Sequence, residues 1–139
     1  MRVTSTIGAG LLSVVGAVAL SAVTATGAIA QSMTPMRGEV KSFSDNFAIR
    51  VNPQNPYQHR IRIEVKVYDE TFAPVPALVS PAEMMLGPEG NRSVTVLVPF
   101  EGRKERRVRV CTESVPYTNS KTSRVRTQIC GRFIAYRLS

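Results

Sequence analysis

Residues 59–68 read His-Arg-Ile-Arg-Ile-Glu-Val-Lys-Val-Tyr, with apolar β-branched residues at every second position. Successive side chains of a strand point to opposite faces, so only extended backbone gathers such a set on one side. Ile61, Ile63, Val65 and Val67 then form a buried face, and Arg60, Arg62, Glu64, Lys66 and Tyr68 a wet one. That is the signature of an antiparallel strand packed on one side. The same period recurs at residues 47–51, 93–98, 106–111 and 124–136, and more weakly at 36–41 and 77–79. Turn clusters separate these runs, at Asn52-Pro53-Gln54-Asn55-Pro56 and at Gly87-Pro88-Glu89-Gly90. Helical character is confined to residues 81–86, a stretch broken by its surrounding prolines.

About seven short strands with Pro/Gly turns predict an all-β fold, an antiparallel immunoglobulin-like β-sandwich. A small barrel is the alternative.

The first thirty residues have a different composition. They carry one charge, Arg2, then a nearly continuous run of Ala, Val, Leu, Gly and Ser, and end in Ala28-Ile29-Ala30. A basic start, a short apolar stretch and an Ala-x-Ala end predict a secretory signal peptide over residues 1–30, cut after Ala30. The rival is an uncleaved anchor, but a spanning helix needs about 20 predominantly apolar residues, more than this Gly- and Ser-rich run supplies. Residues 31–139 are then one exported domain, and its two cysteines meet an oxidising compartment.

Strand phase pairs those cysteines. With Val108 and Val110 facing inward, Arg107, Arg109 and Cys111 face outward. With Val125, Ile129, Phe133 and Ala135 inward, Arg124, Arg126, Gln128, Cys130 and Arg132 face outward. Two hairpin-connected strands thus present one cysteine each on the same face, within reach of a cross-strand disulfide, Cys111–Cys130. Closing a loop of about twenty residues contributes roughly 3 kcal/mol.

The net charge of +8 is unevenly placed. Residues 31–100 hold seven basic and seven acidic residues, whereas residues 101–139 hold ten basic and three acidic. Arg107, Arg109, Arg124 and Arg126 share the outward face of the last hairpin. Either they form a solvated face that keeps a small domain soluble, or they form a patch for carboxylates, phosphates or sulfates, which Arg grips with two parallel hydrogen bonds.

The order of motifs is similar to that of the N-terminal, immunoglobulin-like domain of periplasmic pilus chaperones, the chaperone–usher family. It runs through Arg37, Phe47-Ala-Ile-Arg-Val-Asn52, residues 59–68, Val79-Ser-Pro-Ala-Glu-Met-Met-Leu-Gly-Pro88, residues 92–98 and the strand ending in Val115-Pro116. The wider superfamily of such sandwiches, including major-sperm-protein-like domains, shares these features. The resemblance implies a periplasmic protein that assists pilus or surface-fibre assembly. It implies a fibre-subunit partner, bound by β-strand pairing with the last strand. It also implies that Arg37, with Arg132 beside the second basic position, holds the subunit's terminal carboxylate, and that Val125, Ile129 and Phe133 are donor residues, with Thr127 a weaker member. A bridge between the last two strands resembles the long-loop subset of the family. Members have a second sandwich domain; this chain is expected to be a single-domain variant.

Nothing in the sequence assembles a catalytic set. His59 is the one histidine, and no Ser-His-Asp triad is arguable from spacing. One His and two Cys are too few for a zinc site. No enzyme activity, cofactor or metal is expected, and nucleic acid is not expected as a partner of an exported chain. Two competing functions remain: a binding module for an anionic envelope polysaccharide or acidic protein through the arginine face, and a structural accessory subunit of an envelope complex.

Overall fold

The computed structural model describes residues 31–115 and 126–138. The expected signal peptide, Arg124 and Val125 lie outside the described residues. Nine strands are described: β1 Ser32–Thr34, β2 Arg37–Ser42, β3 Asn46–Gln54, β4 Ile61–Tyr68, β5 Leu78–Ser80, β6 Glu83–Leu86, β7 Val94–Pro99, β8 Glu105–Val115 and β9 Gln128–Arg137. They form two sheets, in the orders β1-β3-β7-β5 and β2-β9-β8-β4-β6.

All neighbours are antiparallel except β2 and β9, which run parallel. The all-β sandwich expected from the alternation is therefore present. Two strands exceed the expected set, β1 and β6. The 81–86 stretch, with its faint helical character, is strand β6: Met84 and Leu86 are buried and Met85 is not. Its alternation is only four residues long, too short to rank against a helix by pattern.

The core sits between the sheets, where the alternation places it. Phe47, Ile49 and Val51 of β3 and Val94, Val96 and Val98 of β7 face Ile61, Ile63, Val65 and Val67 of β4 and Val108 and Val110 of β8. Phe100 closes one end against Phe47, with ring centroids 4.8 Å apart. Asn55, fully buried in the former turn cluster, donates to the carbonyls of His59 at 2.7 Å and Gly87 at 2.8 Å, and accepts from Tyr57 N–H at 2.9 Å. A buried amide so satisfied ties the β3–β4 turn to the end of β6.

The first strand changes sheets. β1 pairs with β3 in one sheet and β2 pairs with β9 in the other. Pro35, which has no N–H to offer a ladder, stands at the crossing. This crossing decides the shape of the functional site.

Candidate functional site

Among the described residues β9 has a partner strand on each side for only part of its length. β8 pairs with residues from Gln128 to Tyr136, but β2 joins the other side only from Arg132 to Arg137. The Arg132 N–H donates to the Met36 carbonyl at 2.9 Å, which marks where that ladder begins. Backbone groups alternate in direction along a strand, so the N–H and C=O of Gln128 and Cys130 point the same way as the Arg132 N–H. Among the described residues no strand meets them. An open edge of this kind is a template for another chain.

Where β2 starts, arginines line up. Arg37 is opposite Arg132 in the β2–β9 register, and Arg132 is opposite Arg109 in the β9–β8 register. Arg109 is in turn opposite Tyr68 of β4. Three guanidinium side chains therefore occupy one row across adjacent strands, on the outward face.

Two inward glycines flank this row and seat it. A Cβ at Gly38 would lie 2.9 Å from the Phe133 ring, and one at Gly131 would lie 2.9 Å from the same ring and 3.0 Å from the Met33 methyl. Only glycine leaves room for Phe133 between β2 and β9. Phe133 is 4% exposed. It packs in the chain's own core.

The row borders a surface hollow of about 640 Å³, lined in part by Arg37, Glu39, Glu70, Arg107, Arg109 and Arg132. The four arginines are not equivalent. Arg107 is held by Glu105 at 2.9 Å and reaches Glu70 at 3.6 Å, and the nearby Glu105 carboxylate raises its pKa. Arg109 stacks on the exposed Phe72 ring, 4.6 Å from its centroid, and donates to the Glu70 carbonyl at 3.4 Å. Such a cation–π contact presets the guanidinium. The loop carrying Glu70 and Phe72 is itself fixed: the Asp69 carboxylate accepts from Thr71 N–H at 2.8 Å and Ala73 N–H at 2.9 Å. Hydrogen bonds from the Thr71 hydroxyl and the Ala73 N–H hold the Asp69 carboxyl below the usual carboxylate range. Arg37 and Arg132 are exposed and have no ion-pair partner among the described residues.

The two sites expected from sequence thus merge and divide in a new way. Arg107 and Arg109, expected in an anion face, join Arg37 and Arg132, expected to hold a subunit. Arg126 is exposed but stands six residues from Arg132, about 20 Å along the strand direction. Between them on that face lies a closed polar network. Glu113 accepts from Lys66 at 3.1 Å, Tyr68 at 3.0 Å and Gln128 at 2.9 Å. Burial pushes the Glu113 carboxyl up, but these hydrogen bonds and the Lys66 charge outweigh it and leave the pKa lowered. Cys111 and Cys130 are directly opposed in the register and bonded as expected. Cys111 faces outward yet is fully buried.

Ile129 is half-buried at the open edge, opposite Thr112. Behind it Thr127 donates to Gln31 at 3.1 Å and shares a 2.6 Å hydrogen bond with Ser114. Arg106, one of the basic residues of the last hairpin, is 6% exposed; it donates to the Pro99 carbonyl and pairs with Glu101 at 3.2 Å. Its inward strand phase was the available signal. Among the described residues no group of three or more His, Cys, Asp or Glu is placed to hold a metal ion.

The fold is that of a pilus-chaperone immunoglobulin-like domain. The likeness is to solved structures. A chain of the Salmonella enterica complex of the SafA pilin with the SafB chaperone is 19% identical, with a TM-score of 0.64, over 81% of this chain and 57% of that one. The E. coli chaperone DraB is 14% identical, with a TM-score of 0.63, over 78% and 55% respectively. A chain of the Acinetobacter baumannii CsuC–CsuE chaperone–tip adhesion subunit pre-assembly complex is 15% identical, with a TM-score of 0.56, over 78% and 57%. This chain spans a little over half the length of each. No family model and no curated protein sequence matches it.

Proposed function

We propose that this chain is a periplasmic, non-enzymatic chaperone-like protein of pilus or surface-fibre assembly. It holds an extended strand of a fibre subunit on the open edge of β9. The carrying observation is that this edge ends at Arg37 and Arg132. A strand added there lies in line with β2, and if it runs parallel to β9, as β2 does, its C-terminus points at those two arginines. Backbone hydrogen bonds then supply affinity in a sequence-tolerant way, and two guanidiniums take the terminal carboxylate with charge-assisted hydrogen bonds. Ile129 is the donor side chain, with Thr127 behind it; Val125 keeps its expected role. The structural neighbours include a chaperone complexed with a pilin and one complexed with a tip adhesion subunit, which supports a subunit as partner. The leader expected over residues 1–30 supports the compartment.

The polyanion reading draws less support, because Arg126 is separated from the other arginines by the Glu113 network.

The test is co-purification of a co-expressed fibre subunit from periplasmic extracts. Wild type recovers the subunit; Ile129→Asp and Arg37→Ala/Arg132→Ala, shown folded by circular dichroism, do not. Failure of wild type to recover any subunit, or undiminished recovery by both variants, refutes the proposal.

A further inference from the structure

The hollow exceeds what one carboxylate fills, and its charge is not balanced from within. It presents four guanidiniums and two carboxylates. Both acids are engaged away from the edge: Glu39 with Lys41 at 3.6 Å and Glu70 with Arg107 at 3.6 Å. Arg37 and Arg132 meet neither. Arg109 is held in place by Phe72, and its Nε is sealed from solvent with no hydrogen-bond partner among the described residues. Among the described residues the site therefore offers two unpaired guanidiniums at the edge and a preset third one strand further in.

We propose that the strand bound at β9 ends in Asp or Glu. Its terminal carboxylate sits on Arg37 and Arg132, and its side-chain carboxylate reaches the Arg109 side of the hollow. This rests on the proposed function and names the class of partner terminus. Three points carry it. With Arg107 held by Glu105 and Glu70, three guanidiniums remain, and a terminal carboxylate on Arg37 and Arg132 leaves Arg109 for a second negative charge. The two carboxylates of that residue are separated by one side chain, on the scale of one interstrand step of about 4.8 Å, the step from Arg132 to Arg109. Strand alternation turns the side chain of the residue opposite Cys130 to the outward face, where the arginines are.

The experiment uses protein purified from the periplasm after expression of the full chain. Synthetic peptides of alternating Val and Thr are titrated calorimetrically, ending in Glu with a free carboxylate, in Gln with a free carboxylate, or in Glu amide. The Glu peptide with a free carboxylate is expected to bind tightest, and each change to weaken it roughly tenfold, as the loss of a charge-assisted hydrogen bond implies. In Arg109→Gln the difference between Glu and Gln is expected to vanish while the difference between acid and amide persists. Equal binding of Glu and Gln peptides, with the amide still weak, overturns this inference and leaves the proposed function standing. No binding by any peptide overturns both. Heparin, a sulfated polysaccharide, binding in an Arg109-dependent way with no Glu preference among peptides, overturns this inference in favour of a polyanion.

Discussion

Replacing Arg132 by Gln should make the protein more stable and a worse binder. Arg132 has a like charge directly opposite on each side, Arg37 on β2 and Arg109 on β8. Directly opposed like charges destabilise a sheet. Two unit charges about 5 Å apart repel by about 0.8 kcal/mol in water. Salt at about 0.1 M, with a screening length near 10 Å, cuts that to roughly 0.5 kcal/mol. Two neighbours give at most about 1 kcal/mol, and exposed arginines splay apart, so 0.5–1 kcal/mol is the working range. For a domain of about 100 residues that raises Tm by roughly 2–8 °C. Thermal and denaturant unfolding of wild type, Arg132→Gln, Arg109→Gln and the double variant measure it. The two single effects should not add, because Arg109→Gln also loses the Phe72 contact and each variant relieves the same repulsion. Raising the salt to about 1 M, where screening acts within about 3 Å, should erase the gain. Peptide affinity should fall at the same time. An unchanged or lower Tm for Arg132→Gln at low salt refutes the argument that the row is held against repulsion. A gain that survives high salt does the same.

The remaining predictions concern the frame of the site. Cys111→Ser/Cys130→Ser opens a bridge with a sequence separation of 19 and should cost about 3 kcal/mol in denaturant unfolding; a loss below about 1 kcal/mol would show that the β8–β9 pairing needs no staple. Gly131→Ala places a methyl 2.9 Å from the Phe133 ring and 3.2 Å from the Met36 carbonyl. It should destabilise by roughly 1–3 kcal/mol and speed hydrogen exchange of the Arg132 amide; neutral behaviour contradicts the tight seat. Glu113 has a folded pKa below its ordinary value, so the unfolded chain binds the proton more readily. The resulting stability is present above the ordinary value of 4.5 and is lost as pH falls below it through the lowered folded pKa. Glu113→Gln should therefore be less stable than wild type at neutral pH and should lose less stability than wild type on acidification in that window; parallel acid limbs for the two proteins refute the assignment.

Strand phase was readable because it is local. The inward residues of β3, β4, β7 and β8 follow from alternation alone, and so does the disulfide, since both cysteines sit on one face of a hairpin. Phe133 shows where phase stops. Facing inward is the same signal whether a side chain is sealed in the core or left half-exposed at an edge, and only burial separates Phe133 from Ile129. Arg106 carries a similar lesson: its inward phase was visible, but not the Glu101 and Pro99 partners that permit a buried guanidinium. β1 and β6 were missed because three and four residues carry too little alternation to register.

The sequence by itself determined an all-β chain, the faces of its longer strands, the pairing of its cysteines and the concentration of positive charge in its last third. These are properties of spacing within a segment, which the backbone period converts directly into direction. Tertiary structure alone decided that Arg37 stands in one row with Arg132 and Arg109, both far away along the chain, and that among the described residues β9 is left open just before them. That arrangement depends on β1 and β2 entering different sheets and on β2 lying parallel to β9. Pairing between distant strands is set by how the whole core closes, which no local pattern records.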